Sequence, residues 1–118
     1  MQLTEVTFDD AVPVDGYGPG FFRIGGQVLH GAVIVTADKA RVWDGLEADG
    51  AALLALAGDV DVVFVGMGAE IAHLPADLRQ RMEAAGIGVE VMNSPSACRT
   101  YNVLVSEGRR VALAALPV

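Results

Sequence analysis

The sequence predicts an α/β fold: a single compact domain in which a mixed β-sheet carries β-hairpins at its N-terminal side and about three helices. Two observations lead there. Up to Trp43 the apolar residues come in short runs separated by glycine-rich turn chemistry, the pattern of hairpins; from Asp49 onward helical spacing alternates with buried strand-like runs. At 118 residues the chain can bury roughly two thirds of its unfolded surface around one core, so residues 1–118 form one domain that needs neither metal nor disulfide. No linker, repeat or low-complexity stretch interrupts it.

Taken in order, residues 3–8 alternate weakly and read as a first strand. Asp15-Gly16 and Tyr17-Gly18-Pro19-Gly20 supply turn residues before Phe21-Phe22-Arg23-Ile24. Gly25-Gly26 then separates that run from a strand over 28–35, and two glycines suit a primed hairpin turn because both central positions take positive φ without a Cβ clash. A second hairpin is expected around Ala37-Asp38-Lys39, returning through Arg41-Val42-Trp43. Asp49 is placed to cap a short helix carrying Leu53, Leu54 and Ala57, stopped by Gly58. Residues 59–65 leave almost no polar face and read as a buried strand. Pro75 opens a helix with Leu78, Met82 and Ala85 along one stripe, and Gly86 closes it. Residues 87–92 form the next strand, so strand, helix, strand implies a right-handed parallel crossover. Ser94 reads as the N-cap of a final helix and Pro95 as its first residue; Ala97, Tyr101, Leu104 and Val105 share its buried face. Gly108 ends that helix and residues 111–116 return as the last strand.

Composition narrows the function classes. With 53% hydrophobic residues and a mean hydropathy of +0.43 the chain is unusually apolar. Yet Gly58, Asp59 and Asp61 interrupt the longest apolar candidate, residues 51–65, well short of the ~20 residues of a membrane span. No integral membrane segment is expected, and the apolar surplus points to an interface with another protein or within a homo-oligomer. A net charge of −7 repels phosphodiesters, which argues against nucleic acid. Glu5, Asp9 and Asp10 without an early Lys or Arg fit neither a secretory nor a transit leader, so the cytoplasm is expected. One cysteine excludes an intrachain disulfide and CxxC chemistry. With two scattered histidines and no HxxxH or acidic loop cluster, neither a metal nor a cofactor is expected.

The unusual polar residues gather where the strand over 87–92 hands over to the final helix, the position at which open α/β sheets place their sites. Glu90, Asn93, Ser94, Ser96, Cys98, Arg99 and Asn102 all fall there. Gly66-Met67-Gly68, following the buried strand over 59–65, supplies one wall of the candidate pocket. It is a poor dinucleotide fingerprint: the third glycine is missing, position 71 is Ile, and the next clear helix begins only near Pro75. Its plainer reading is a tight turn at a strand end. Two readings of Cys98 compete. A helix N-terminus and Arg99 would favour a thiolate, but a nucleophile also needs a base, and only His30 and His73 are on offer; the alternative is a small packing residue. Glu90 is a general base with a raised pKa if buried, or half of an ion pair with Arg99 or Arg109. Thr100 and Asn102 suit hydrogen bonds to backbone at the same junction. Tyr17, Phe21, Phe22 and Trp43 are core aromatics, or a docking surface where they are left exposed.

Several stretches, spanning nearly the whole chain, are together specific. They are Phe22-Arg23-Ile24 with Gly31, Trp43, Gly66-Met67-Gly68, Gly86-Ile87-Gly88-Val89-Glu90-Val91-Met92, and Ala97-Cys98-Arg99-Thr100-Tyr101-Asn102 through Glu107-Gly108-Arg109. In these residues the chain resembles the Mth938-like (DUF498) domain family, which includes the third assembly factor of mitochondrial NADH:ubiquinone oxidoreductase and an adipogenesis-associated cytosolic protein of animals. The resemblance implies a compact α/β fold with a mixed sheet, hairpins to one side and helices on the other. It implies no enzyme activity, and for the mitochondrial branch a role in building complex I. Ala97-Cys98 and Glu107-Gly108-Arg109 resemble that branch more closely, and the missing transit segment fits a bacterial cytoplasmic relative. The expected function is thus a non-enzymatic interaction or assembly module, possible links to respiratory complexes included. The alternative is a small-anion-binding or cysteine-dependent enzymatic site at residues 66–68 and 93–99.

Overall fold

A computed structural model of the chain describes residues 5–7, 11, 13–47, 50–70 and 72–118. Thirteen elements follow one another: strands β1 (Glu5–Thr7), β2 (Val14–Gly18), β3 (Phe21–Ile24), β4 (Gln27–His30), β5 (Ala32–Val35) and β6 (Lys39–Trp43), a 3-10 turn (Gly45–Glu47), helix α1 (Ala51–Leu54), strand β7 (Val62–Gly66), helix α2 (Ala76–Ala84), strand β8 (Gly88–Met92), helix α3 (Ser94–Ser106) and strand β9 (Val111–Ala115). Six strands form a sheet in the order β1-β6-β5-β9-β7-β8, and β2-β3-β4 form a second. The expected mixed sheet is realised at β9, which pairs antiparallel with β5 and parallel with β7.

The last strand of the chain therefore enters the centre of the large sheet. Every residue of β5 and β9 is buried, as expected for strands covered on both faces. The two-residue period then sorts side chains into two cores. On one face Phe64 and Leu113 meet Ala97, Tyr101 and Val105 of α3, together with Phe22, Ile24 and Leu29 of the small sheet. On the other, Val63, Val65, Ala112 and Ala114 pack against Leu53, Leu78, Met82 and Ile87.

Local chemistry explains most of the connections. Gly25 and Gly26 have φ of 57° and 79°, the hairpin geometry expected of them. The hairpin from β5 to β6 turns at 36–39, where the Thr36 amide donates to the Lys39 carbonyl at 2.8 Å. The segment β7-α2-β8 is the expected crossover between parallel neighbours, and Leu78 and Met82 are its buried stripe.

Several boundaries differ from expectation, each for a local reason. The run over 28–35 is two strands in two sheets, because Gly31 at φ 94° turns the chain from β4 in the small sheet to β5 in the large one. Asp15-Gly16-Tyr17 is not a turn but part of β2, with a bulge between Val14 and Gly16. The turn narrows to Pro19-Gly20, and the Phe21 ring lies over Gly18, where an added Cβ would come within 2.5 Å of it. Residues 59–61 precede the strand: the Asp59 and Val60 amides both turn back to the Leu56 carbonyl, so β7 starts at Val62. Pro75 holds the N-cap position of α2 rather than its first turn, and Ala85 is exposed. Helix α1 is one turn long with Gly50 at its N-cap and no side-chain cap bond; the expected cap, Asp49, lies outside the described residues.

Candidate functional site

The C-terminal ends of β7 and β8 bring Gly66, Met67 and Gly68 against Ser94 in a closed junction, while Glu90, Cys98, Arg99 and Asn102 point to other surroundings. Asn93, not Ser94, caps α3: its Oδ1 accepts the Ser96 amide at 2.8 Å, and Pro95 follows within the first turn. One position further on, the Ser94 side chain is free for a different task. Its hydroxyl donates to the Leu116 carbonyl at 2.6 Å and accepts the Gly68 amide at 2.9 Å. The Ser94 amide in turn donates to the Gly68 carbonyl, the Met67 amide to the Met92 carbonyl and the Leu116 amide to the Gly66 carbonyl. Ser94 is 1% exposed, so these bonds act in a low dielectric where leaving one unmade is costly.

The 66–68 glycines make that closure sterically possible. A Cβ on Gly66 would stand 2.7 Å from Ser94 Cα, and Gly68 sits at φ 94°. The loop thus approaches the start of α3 backbone to backbone, leaving no room there for a phosphate between it and the helix. The tight-turn reading accounts for Gly66 and Gly68.

Cys98 is buried among Tyr101, Ala97 and their neighbours. Burial pushes its thiol up to about 11, outweighing the opposing pull of the Arg99 guanidinium. At neutral pH it is a thiol with packing contacts. Arg99 is exposed and donates to Ser96 Oγ at 3.2 Å. Glu90 is exposed on β8, at the edge of the sheet. It pairs with neither Arg99 nor Arg109; the ion pairs among the described residues join Arg81 to Asp77 and Arg110 to Asp61. His30 and His73 are both exposed, and His30 lies beside the Phe21 ring at 6.4 Å. No group of three His, Cys, Asp or Glu side chains among the described residues is placed to hold a metal ion, and no helix among them is long and apolar enough to cross a membrane.

Asn102 has a role beyond the junction. It binds both backbone groups of Val14, accepting its amide at 2.8 Å and donating to its carbonyl at 3.1 Å, and so ties β2 to α3. Of the aromatics, Phe22 and Trp43 are core, Phe21 is half-buried and Tyr17 is 43% exposed.

A cavity of about 560 Å³ opens at the other end of the large sheet, where the sequence offered no expectation. It lies between the β5–β6 turn, the segment after α1, and the passage from α3 to β9, and its described lining includes Lys39, Arg41, Arg109 and Arg110. They come from two places far apart in sequence, and the linear signals are the Arg109-Arg110 pair and the two cations, Lys39 and Arg41, that follow a hairpin turn. Nearby, Tyr101 is fully buried, and its hydroxyl has no hydrogen-bond partner among the described residues. Burial, and then the Asp38 carboxylate, push its ionisation upward.

Comparison with known proteins agrees with this architecture. The chain is 54% identical over 118 residues to an uncharacterised protein of Rhodobacter capsulatus, covering 100% of this chain and 94% of that protein. It is 30% identical over 123 residues to NADH dehydrogenase (ubiquinone) 1 alpha subcomplex assembly factor 3 of Mus musculus, covering 99% of this chain but 66% of the mouse protein's length. The solution structure of a Mth938-like domain from Bordetella pertussis superimposes with a TM-score of 0.78 at 25% identity, covering 99% of this chain and 92% of that one. Residues 14–116 match the model of a family described as protein of unknown function (DUF498/DUF598), and with that span and this fold the chain belongs to the DUF498/DUF598 family.

Proposed function

We propose that this domain is a non-enzymatic protein-interaction or assembly module, serving the biogenesis of a respiratory NADH dehydrogenase. The observation that carries the non-enzymatic part is the closure of the 66–68 and 93–96 junction by its own hydrogen bonds. The amides of Gly68, Ser94 and Ser96 that would have bound a reacting anion are already occupied, and the neighbouring thiol is buried and protonated. The assembly part rests on the likeness to the mouse assembly factor, which spans almost all of this chain.

The contact face we assign is the outer side of the small sheet. There the register places Phe21 opposite His30 and Arg23 opposite Val28; Val28 is 38% exposed, and Arg23 and His30 are exposed beside it. Apolar groups beside the Arg23 guanidinium suit a protein partner with an acidic rim. We place the domain in the bacterial cytoplasm, a compartment in keeping with its acidic charge and its free cysteine; fractionation of host cells checks it. The function is tested by capturing the tagged protein from its host at low salt and repeating the capture from the other side. Reciprocal, near-stoichiometric recovery of an NADH dehydrogenase subunit supports the reading. Recovery of the domain alone, or only as a homo-oligomer, overturns it.

A further inference from the structure

We propose that the cavity at the 36–39 end of the large sheet is a binding site for a small amphipathic anion, with an apolar body and a carboxylate or phosphate head. This goes beyond the interaction reading and stands independently of it.

The cavity follows from strand register. β5 pairs with β9 only from Val33↔Ala115 to Val35↔Leu113, after which the chain turns away through 36–39. β9 extends two residues further, with Val111 and Ala112 paired to β7. The space beside them is not refilled, because the surrounding lining positions are small: Ala37, Ala52, Ala55 and Gly108. Its apolar part is made by Ile34, Leu56, Val60, Val105 and Val111, all of them buried core residues. A volume of about 560 Å³ falls in the ordinary range of small-ligand sites, ~300–1,000 Å³.

The charge distribution selects the ligand's sign. The whole chain has 8 Lys and Arg against 15 Asp and Glu. Among the described residues lining the cavity, Lys39, Arg41, Arg109 and Arg110 stand against Asp38 and Asp59, so cations outnumber acids in that lining. Arg110 is engaged, donating to the Gly58 carbonyl at 2.7 Å and lying 3.8 Å from the Asp61 carboxylate. Asp38 accepts the Thr36 hydroxyl at 2.7 Å. The side chains of Lys39, Arg41 and Arg109 have no partner among the described residues. Cations at the mouth of an apolar recess in an otherwise anionic protein focus the field onto an acid head whose apolar part is buried behind it.

The test is a titration of the whole isotope-labelled protein, followed by amide NMR, with decanoate, decyl phosphate, decanol and inorganic phosphate as separate probes. Decanoate or decyl phosphate should shift the amides of Ile34, Leu56, Val105 and Val111, and whichever binds more tightly identifies the head group. Decanol and inorganic phosphate should each bind at least about tenfold more weakly. The double variant Lys39→Glu/Arg109→Glu, altered at two exposed positions, should weaken binding by about tenfold or more, and raised salt should weaken it in the wild type. If that variant melts early, Lys39→Gln/Arg109→Gln takes its place. Four results overturn the proposal: no shift at those amides up to millimolar probe, shifts confined to another surface, decanol binding as tightly as decanoate, or unchanged affinity in a folded charge variant.

Discussion

Asn102 holds the backbone of Val14 by both of its polar groups, 88 residues away in sequence. At the start of β2 the carboxamide supplies one acceptor to the Val14 amide and one donor to its carbonyl. Through that pair α3 fixes the small sheet, and with it the face carrying Phe21 and Val28, onto the large one.

Replacement of Asn102 by Ala should therefore destabilise the protein by about 1–2 kcal/mol, the cost of breaking two part-buried hydrogen bonds to backbone. Amide exchange should accelerate first in β2 and β3, before β7 and β9. Asn102→Asp keeps the acceptor and loses the donor, and should fall between the two in urea denaturation. Uniform exchange acceleration across both sheets would show that the tie is not what positions the small sheet.

Gly66 and Ser94 make a second pair with opposite demands. Gly66→Ala forces a Cβ against Ser94 Cα, and overpacking against backbone should cost about 1–3 kcal/mol. Ser94→Ala removes the acceptor of the Gly68 amide and the donor to Leu116, with a loss of about 1–3 kcal/mol. Asn93→Ala, by contrast, removes one cap bond and should cost about 1 kcal/mol. Equal losses at 93 and 94 in chemical denaturation would contradict the assignment of Asn93 as cap and Ser94 as latch.

Cys98 provides a pH test. Its thiol is raised from 9.0 to about 11 in the folded protein by burial, so between those values the folded state holds a proton that the unfolded chain has released. The stability this group contributes is fully present below about pH 9 and is lost as pH rises through 11. Alkylation should accordingly be slow at pH 8 and track unfolding rather than thiolate formation. Rapid labelling of the native protein at neutral pH would revive a nucleophilic role. Cys98→Ala should retain the fold with a modest loss from the vacated volume, read as a lower melting temperature.

Much of the architecture was legible because it rests on local rules. Gly25-Gly26 requires positive φ at two positions, the apolar residues at 62–65 leave no polar face, and Leu78 with Met82 repeats at helical spacing. What escaped was decided by distant partners. Ser94 looks like a cap in sequence, and only the arrival of Gly68 and Leu116 diverts its hydroxyl and leaves capping to Asn93. Gly31 separates two sheets rather than interrupting one strand, which no local pattern distinguishes. Residues 66–68 do meet the start of α3, but sequence spacing could not reveal that they meet backbone to backbone. The cavity depends on where β5 stops against β9, a register set by tertiary pairing.

We propose that this domain works through a surface and not through a reactive site. It is tested most directly by capturing partners with the wild type and with Phe21→Ser/Val28→Glu, both folded by amide NMR, alongside Cys98→Ala. The surface variant should lose an NADH dehydrogenase subunit that the wild type and Cys98→Ala both retain. Retention by the surface variant with loss in Cys98→Ala would contradict it.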